Sequence, residues 1–258
     1  MNPVERLTEP TKTVFPAEWY DFAHPYHFWL TSRQRALRAM LNRLGIDRAK
    51  PMHVIDIGTG NGASALLIER DSAWTVDGVD LDERAFVSTD RRRGRLLAYD
   101  ITERRPELAN AFDAAVLFDV IEHVADPVTF LRAAAYHLRP EGWLFINVPA
   151  FSLLFSRYDE VNGHYRRYSR ANLAAEIEAA DIELIESQYW GFSLLPVVLA
   201  RNVAVKFVSD EKVIDRGFTP PSPFINRTLD RMMAVEQALM SRPPAGTSAM
   251  AVARKRRA

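Results

Sequence analysis

The segment from His53 to Ala63 constrains the fold more than any other stretch of the chain. An apolar run, His53-Val54-Ile55-Asp56-Ile57, reads as a strand and passes directly into Gly58-Thr59-Gly60-Asn61-Gly62-Ala63, where a helical pattern begins. Glycine lets the backbone turn sharply and approach a ligand closely, and the helix N-terminus adds oriented N–H groups. A nucleotide-like ligand is expected across this turn. Gly58-x-Gly60-x-x-Ala63 by itself also fits the looser dinucleotide fingerprint, so the glycines leave the cofactor open.

The surrounding pattern sets the architecture. Apolar runs at 52–57, 74–80, 95–99, 112–118 and 142–148 are separated by helical or loop segments, which predicts a mainly parallel sheet with helices on both faces. The helix before the fifth run is well punctuated: Asp126 caps it, Pro127 takes its first position, and Arg139-Pro140-Glu141-Gly142 ends it. An amphipathic helix is expected over 27–44, with Leu30, Leu37, Met40, Leu41 and Leu44 at helical spacing. Ahead of it and into its first turn, Trp19, Tyr20, Phe22, Tyr26, Phe28 and Trp29 crowd together, and something must cover them. After Pro149 the periodicity lapses into an aromatic and basic loop until Ser169 caps a helix ending near Ala180. A strand at 182–189, an apolar segment at 192–208, a helix at about 224–241 and a last strand at 248–253 complete the chain.

Composition removes whole classes. With 258 residues, 48% of them hydrophobic, the chain can fill a substantial core. Lys and Arg number 33, as do Asp and Glu, so no overall field draws it to a polyanion. Without cysteine there are no disulfides, thiolate nucleophiles or sulfur-ligated zinc, which suits a reducing cytoplasm. MNPVERLTEP has no apolar core of a secretory signal, and 192–208 carries Pro196, Arg201, Asn202 and Lys206, which suits a membrane span poorly. A cytoplasmic enzyme is the expectation, with peripheral contact at a membrane surface left open and oligomeric state unread.

Two carboxylates sharpen the cofactor reading. Asp80 ends the second strand about twenty residues after the glycines, where it can accept hydrogen bonds from both ribose hydroxyls. Asp56 lies inside the first strand, where a dinucleotide-binding strand normally has an apolar residue, and a charge there needs partners. The ammonium of S-adenosylmethionine (SAM) is one such partner, and the N–H groups of the loop are another.

The chain resembles the class I SAM-dependent methyltransferases over nearly its whole length. VIDIGTGNG, GVDLD, LLAYDI, FDAAVLFDVIEHVADP and LRPEGWLFINVPA are similar to five motifs of that family in order. HFWLTSR at 27–33 and GHYRRYSRANL at 163–173 resemble one bacterial subgroup, of type 11/12 character. The resemblance implies a Rossmann-like, doubly wound seven-stranded sheet with its last strand antiparallel. It implies a single domain over 1–258: a helical lid at 1–46, a SAM-binding half at 47–150, and a substrate-side half at 151–258 with an insertion at 192–241. It further implies that Asp56, Gly58, Gly60 and Gly62 hold the methionine portion, Asp80 the ribose, Leu81 the adenine face, and Asp100 and Ile101 the adenine edge. Phe118 and Asp119 would flank the methionine and the methyl group in transfer, and S-adenosylhomocysteine would be the product.

Methyl transfer from a sulfonium relies mainly on alignment, which contributes roughly 7–11 kcal/mol in well-oriented reactions. Where the acceptor is a hydroxyl, a histidine is the natural proton recipient, and His123 and His164 are the candidates. Tyr165, Arg166, Arg167 and Tyr168 are candidate acceptor contacts, with Arg166 or Arg167 pairing a carboxylate or phosphate on a small, partly hydrophobic substrate. The six histidines show no close ligand spacing with carboxylates, so no metal is expected. Three rivals stand beside this reading. An NAD(P)-dependent oxidoreductase would use the glycines and Asp80 but has no use for Asp56. A nucleic-acid or protein methyltransferase is suggested by Arg91-Arg92-Arg93-Gly94-Arg95 and Arg254-Lys255-Arg256-Arg257, yet such runs are usually solvated surface. The third is a SAM-binding module without turnover.

Overall fold

Strands covered by helices on both faces lose the polar alternation of an exposed sheet, and the expected runs have that character. The computed structural model describes residues 4–9, 24–86, 93–205, 213 and 221–257. Its strands are β1 (Val4–Arg6), β2 (His53–Ile57), β3 (Thr75–Asp80), β4 (Leu96–Ala98), β5 (Phe112–Phe118), β6 (Leu138–Pro149), β7 (Ile182–Trp190) and β8 (Ser248–Lys255). They form one sheet in the order β1-β4-β3-β2-β5-β6-β8-β7. All pairings are parallel except those of β8, which runs antiparallel to both β6 and β7.

The sheet is the expected one with an eighth strand added at its edge. Val4, Glu5 and Arg6 pair with Leu96, Leu97 and Ala98 of β4. Three residues held by backbone pairing carry no side-chain period, so no sequence pattern marks them. β6 also begins earlier than its apolar run, because Leu138 pairs with Phe112 before a register shift brings Trp143 opposite Ala114.

The helices are α1 (Phe28–Arg43), α2 (Ala63–Asp71), α3 (Pro127–His137), α4 (Arg157–Val161), α5 (Arg170–Ala179), α6 (Leu195–Ala204) and α7 (Pro223–Leu239). Local chemistry sets several of their ends. The Asp126 carboxylate accepts from Thr129 N–H at α3, Ser169 caps α5 through Asn172 N–H, and Ser222 caps α7 with Pro223 at its first position. Alternate residues of the strands feed two apolar layers. Ile55, Ile57, Val79 and Leu117 pack with Leu131, Leu173 and Ile177 on one face. Val54, Val76 and Val116 pack with Leu37, Met40 and Leu41 of α1, together with Trp190 and Met233, on the other. Helix α1 is thus part of the core, and Trp29 also rests on Trp190 with ring centroids 4.6 Å apart. Trp19, Tyr20 and Phe22 of the expected lid lie outside the described residues.

The apolar segment 192–208, described as far as 205, does not form a core helix. A short turn at Phe192–Leu194 leads into α6, none of whose residues is buried, and Val197, Leu199 and Val203 are exposed. Among the described residues no helix is long and apolar enough to cross a membrane. The basic runs are largely spent locally: Arg95 pairs with Asp77, Arg254 and Arg257 with Glu141, and Arg256 with Asp181. Arg91 and Arg92 lie outside the described residues.

Candidate active site

The turn after β2 is locked onto the end of β3. Gly58 and Thr59 N–H both donate to Val79 O, at 2.8 and 2.9 Å, and Gly60 N–H donates to Asp80 Oδ2 at 2.9 Å. Gly58 has φ +71°, and a Cβ there would stand 2.7 Å from Val120 Cγ2, so this position admits glycine on conformational and steric grounds alike. Asp56 is buried and accepts from the Thr59 hydroxyl at 2.7 Å. Gly78, opposite Asp56 in the sheet, leaves the room that the Thr59 side chain occupies. Asp56 is thus tied to the loop through the Thr59 hydroxyl, where its sequence position suggested the loop N–H groups or the cofactor's ammonium. Gly62, also left-handed at φ 72°, starts α2.

Asp80 stands at the carboxyl end of β3 with each oxygen accepting one backbone N–H, from Gly60 and from Asp82. Burial raises its pKa, an effect the two N–H groups oppose. A carboxylate has about four lone-pair sites, so two remain for ribose hydroxyls. Leu81 follows, half-buried. Asp100, after β4, caps the next turn through Thr102 N–H and the Thr102 hydroxyl, while Ile101 is buried in the apolar layer beside Tyr99 and Leu108.

At the end of β5 a network converges that the sequence did not reveal. Asp119 has φ 57°, a left-handed conformation that Asp tolerates better than most residues. Its Oδ2 accepts from Arg33 of α1 at 2.5 Å, and its Oδ1 accepts from the Asn147 amide at 2.7 Å. Asn147 in turn accepts from the Trp190 indole at 2.8 Å. The Arg33 guanidinium also reaches the Ser64 hydroxyl in the first turn of α2 and lies 4.6 Å over the Phe118 ring. A buried cation and a carboxylate thus sit together beside the glycine turn. SAM presents an ammonium and a carboxylate at its methionine end, so the charges match the group.

A second cluster follows one turn on. Glu122 is fully buried with neither carboxyl oxygen hydrogen-bonded, and burial together with the Asp119 charge pushes its pKa well above the usual carboxylate range. The His123 and His164 rings meet edge to face at 4.6 Å. Burial, with repulsion from His164, lowers the His123 pKa to about 3. His164 Nδ1 lies 2.9 Å from Asp159 Oδ1, and the same oxygen accepts from Arg167 Nε at 2.7 Å. Asp159 is fully buried, and despite that burial its bonds to His164 and Arg167 hold its pKa low. Glu122, His123 and His164 each present a possible ligand atom within 4.8 Å of the others, a convergence that linear spacing could not show.

The remaining sequence candidates separate. Arg167 is committed to Asp159 and, at 3.4 Å, to Ala150 O. Arg166 donates to Ala125 O at 3.0 Å and lies 3.9 Å from Glu176. Tyr168 is buried, its hydroxyl 3.5 Å from Ile121 O, and burial and the neighbouring Glu176 raise its pKa. Tyr165 is exposed. Arg33, Glu122, Asn147 and Asp159 were not assigned as site residues; HFWLTSR, FDAAVLFDVIEHVADP and LRPEGWLFINVPA contain the first three, and Asp159 lies in none of the quoted motifs. A surface groove of about 700 Å³ beside Arg48, Arg70 and Asp71 lies at the amino ends of the strands, away from the carboxyl ends where open α/β sheets bind ligands.

Residues 29–187 match the family model for a methyltransferase domain. The chain is 28% identical over 209 residues to the ubiquinone biosynthesis O-methyltransferase of Paracidovorax citrulli, covering 70% of this chain and 87% of that one. It is 33% identical over 151 residues to the protein of the same name from Caulobacter vibrioides, covering 52% and 59%. Its fold is similar to the Burkholderia thailandensis 1,6-didemethyltoxoflavin-N1-methyltransferase, solved with bound S-adenosylhomocysteine (TM-score 0.52, 20% identity, 93% of this chain and 81% of that one). It is also similar to the cyclase SpnF (TM-score 0.56, 19% identity, 87% and 81%), so the fold alone does not fix the reaction. The match over 29–187 does: the chain belongs to the methyltransferase-domain family, as a class I SAM-dependent methyltransferase.

Proposed function

We propose that the protein transfers the methyl group of SAM to a hydroxyl oxygen of a small, partly apolar acceptor. The observation that carries this reading is the pairing of His164 Nδ1 with the buried Asp159 carboxylate at 2.9 Å, beside the Glu122–His123 turn at the end of β5. The O-methyltransferase names of the two bacterial relatives support the same acceptor atom. SAM, when bound, supplies an electrophilic methyl group on a sulfonium, and the displacement leaves the C–S electron pair on sulfur. The chain's own residues position and deprotonate.

Gly58, Gly60 and Gly62 let the backbone approach the methionine portion, Arg33 faces its carboxylate, and Asp119 faces its ammonium. Asp80 takes the ribose hydroxyls, while Leu81, Asp100 and Ile101 border the adenine. Phe118 closes the methyl side. His164 is the proposed base. Its Nδ1 is oriented by Asp159, which leaves Nε2 to take the hydroxyl proton, whereas His123, with a pKa lowered to about 3, is a weak base. Described residues after 150, His164 and Asp159 among them, supply the acceptor side, and α1 brings Arg33 to the cofactor end.

Incubation with SAM labelled in its methyl group and a bacterial small-molecule extract, followed by mass spectrometry, tests the reading. A labelled ether is the expected product, and its yield should fall at least a hundredfold in His164→Ala with S-adenosylhomocysteine affinity retained. A labelled amine, or a His164→Ala variant with full turnover, contradicts it.

A further inference from the structure

Among the described residues, three arginines around the site differ in their pairing. Arg33 is matched by Asp119 and Arg167 by Asp159. Arg201 of α6 makes no ion pair among the described residues. Its guanidinium carbon lies 3.9 Å from the centroid of the Tyr158 ring, and its Nε is sealed from solvent with no hydrogen-bond partner. Among the described residues its guanidinium donates to Asn202 Oδ1 alone, at a long 3.4 Å. An aromatic face holds the plane of a guanidinium but does not use its N–H edge, which is the edge that grips a planar anion with two parallel bonds.

Arg201 is partly buried with its Nε shut off from water, and stripping water from a guanidinium that no carboxylate pairs among the described residues is costly. Burial lowers its pKa and the nearby Arg167 adds to that, while Tyr158 and Asp159 act in the opposite sense. The position is fixed from both sides. Asn202, the next residue, donates to Leu154 O at 2.8 Å and accepts from the Ser156 hydroxyl at 3.1 Å, which pins α6 to the loop ahead of α4. Tyr158 beneath the guanidinium directly precedes Asp159, the residue that orients His164, and the Asp159 charge acts on the cation.

We propose that Arg201, laid on Tyr158 and flanked by Arg167, anchors a carboxylate carried by the acceptor. The inference rests on the proposed methyl transfer to a small acceptor and deepens it by naming a substrate class. A single guanidinium with no ion pair among the described residues matches a singly charged carboxylate; a phosphate monoester would bring about −1.5 to −2. Arg166 and Arg167, whose cations the sequence offered for this role, already have protein partners.

The full-length protein loaded with S-adenosylhomocysteine is titrated with 4-hydroxybenzoate and with 4-hydroxybenzamide, its uncharged counterpart. The carboxylate is expected to bind at least tenfold more tightly. Arg201→Gln should abolish that preference while S-adenosylhomocysteine affinity stays within twofold, and Arg201→Lys, which keeps the charge but loses the fork, should reduce it at least threefold. Equal binding of the two compounds to the unaltered protein, binding of neither, or a preference that survives in Arg201→Gln overturns the anchor. Should Arg201→Gln fail to fold, an unchanged preference in Arg201→Lys overturns it equally. Failure of the unaltered protein to bind S-adenosylhomocysteine would instead overturn the proposed function, so the two readings fail separately.

Discussion

Arg166 and Arg167 are adjacent in sequence and meet opposite surroundings. The Arg167 side chain is 5% exposed and pairs with a fully buried Asp159, whereas Arg166 is 29% exposed and its nearest carboxylate is 3.9 Å away. Removing one partner of a buried pair leaves an uncompensated charge and costs about 3–5 kcal/mol, while a surface pair contributes about 0–1 kcal/mol. Denaturant unfolding should therefore show Arg167→Ala destabilised by several kcal/mol and Arg166→Ala barely changed; equal values would contradict the assigned burial. Glu122 adds a pH dependence. Burial and the Asp119 carboxylate keep it protonated when folded, but the unfolded chain ionises it near the ordinary value of 4.5. Above that pH the unfolded state binds fewer protons, so Glu122 subtracts stability as pH rises, by up to about 1.4 kcal/mol per pH unit. Glu122→Gln removes that loss, and its melting temperature should pull ahead of the unaltered protein between pH 5 and pH 8. A gap that stays constant would mean that the carboxyl is ionised in the fold. His123 works in the opposite sense. Its folded pKa of about 3 lies below the ordinary 6.5, so its contribution is complete above pH 6.5 and is lost as pH falls from there towards 3.

Among the elements, the β2–turn–α2 unit is the most legible from sequence and the least tolerant of change. Its conformation is dictated by residues next to one another: glycines at left-handed φ, and a strand end that offers Val79 O to two N–H groups. Gly58→Ala would meet Val120 and strain the backbone by about 1–2 kcal/mol. Calorimetry should show its S-adenosylhomocysteine affinity reduced at least tenfold, and an unchanged affinity would mean that the turn does not cradle the ligand. Helix α3 was equally readable, because Asp126 and Pro127 mark its start in adjacent positions. Legibility ends where a partner is remote. Arg33 and Asp119 are 86 residues apart, and Asn147 and Trp190 are 43 apart; no local period links either pair. The exposed flank of α6 illustrates the same point in reverse. Composition marked 192–208 only as an apolar segment, and the packing is what shows that none of the residues of α6 is fully buried while the Arg201 guanidinium lies over the Tyr158 ring.

For the molecule as a whole, balanced charge and a doubly wound sheet leave specificity to the loops at the carboxyl ends of the strands. The central claim is that this end binds SAM through the glycine turn and Asp80. A ligand that binds only the folded state stabilises it by about 2.7 kcal/mol at a hundredfold excess over Kd, so saturating S-adenosylhomocysteine should raise the melting temperature where NAD does not. The most direct measurement is isothermal titration of S-adenosylhomocysteine into the unaltered protein and into Asp80→Asn. The account predicts one-to-one binding, weakened at least tenfold in the variant because hydrogen bonds to a charged group contribute about 1.5–3 kcal/mol each, with no binding of NAD. Equal affinity in both proteins, or a preference for NAD, would contradict it.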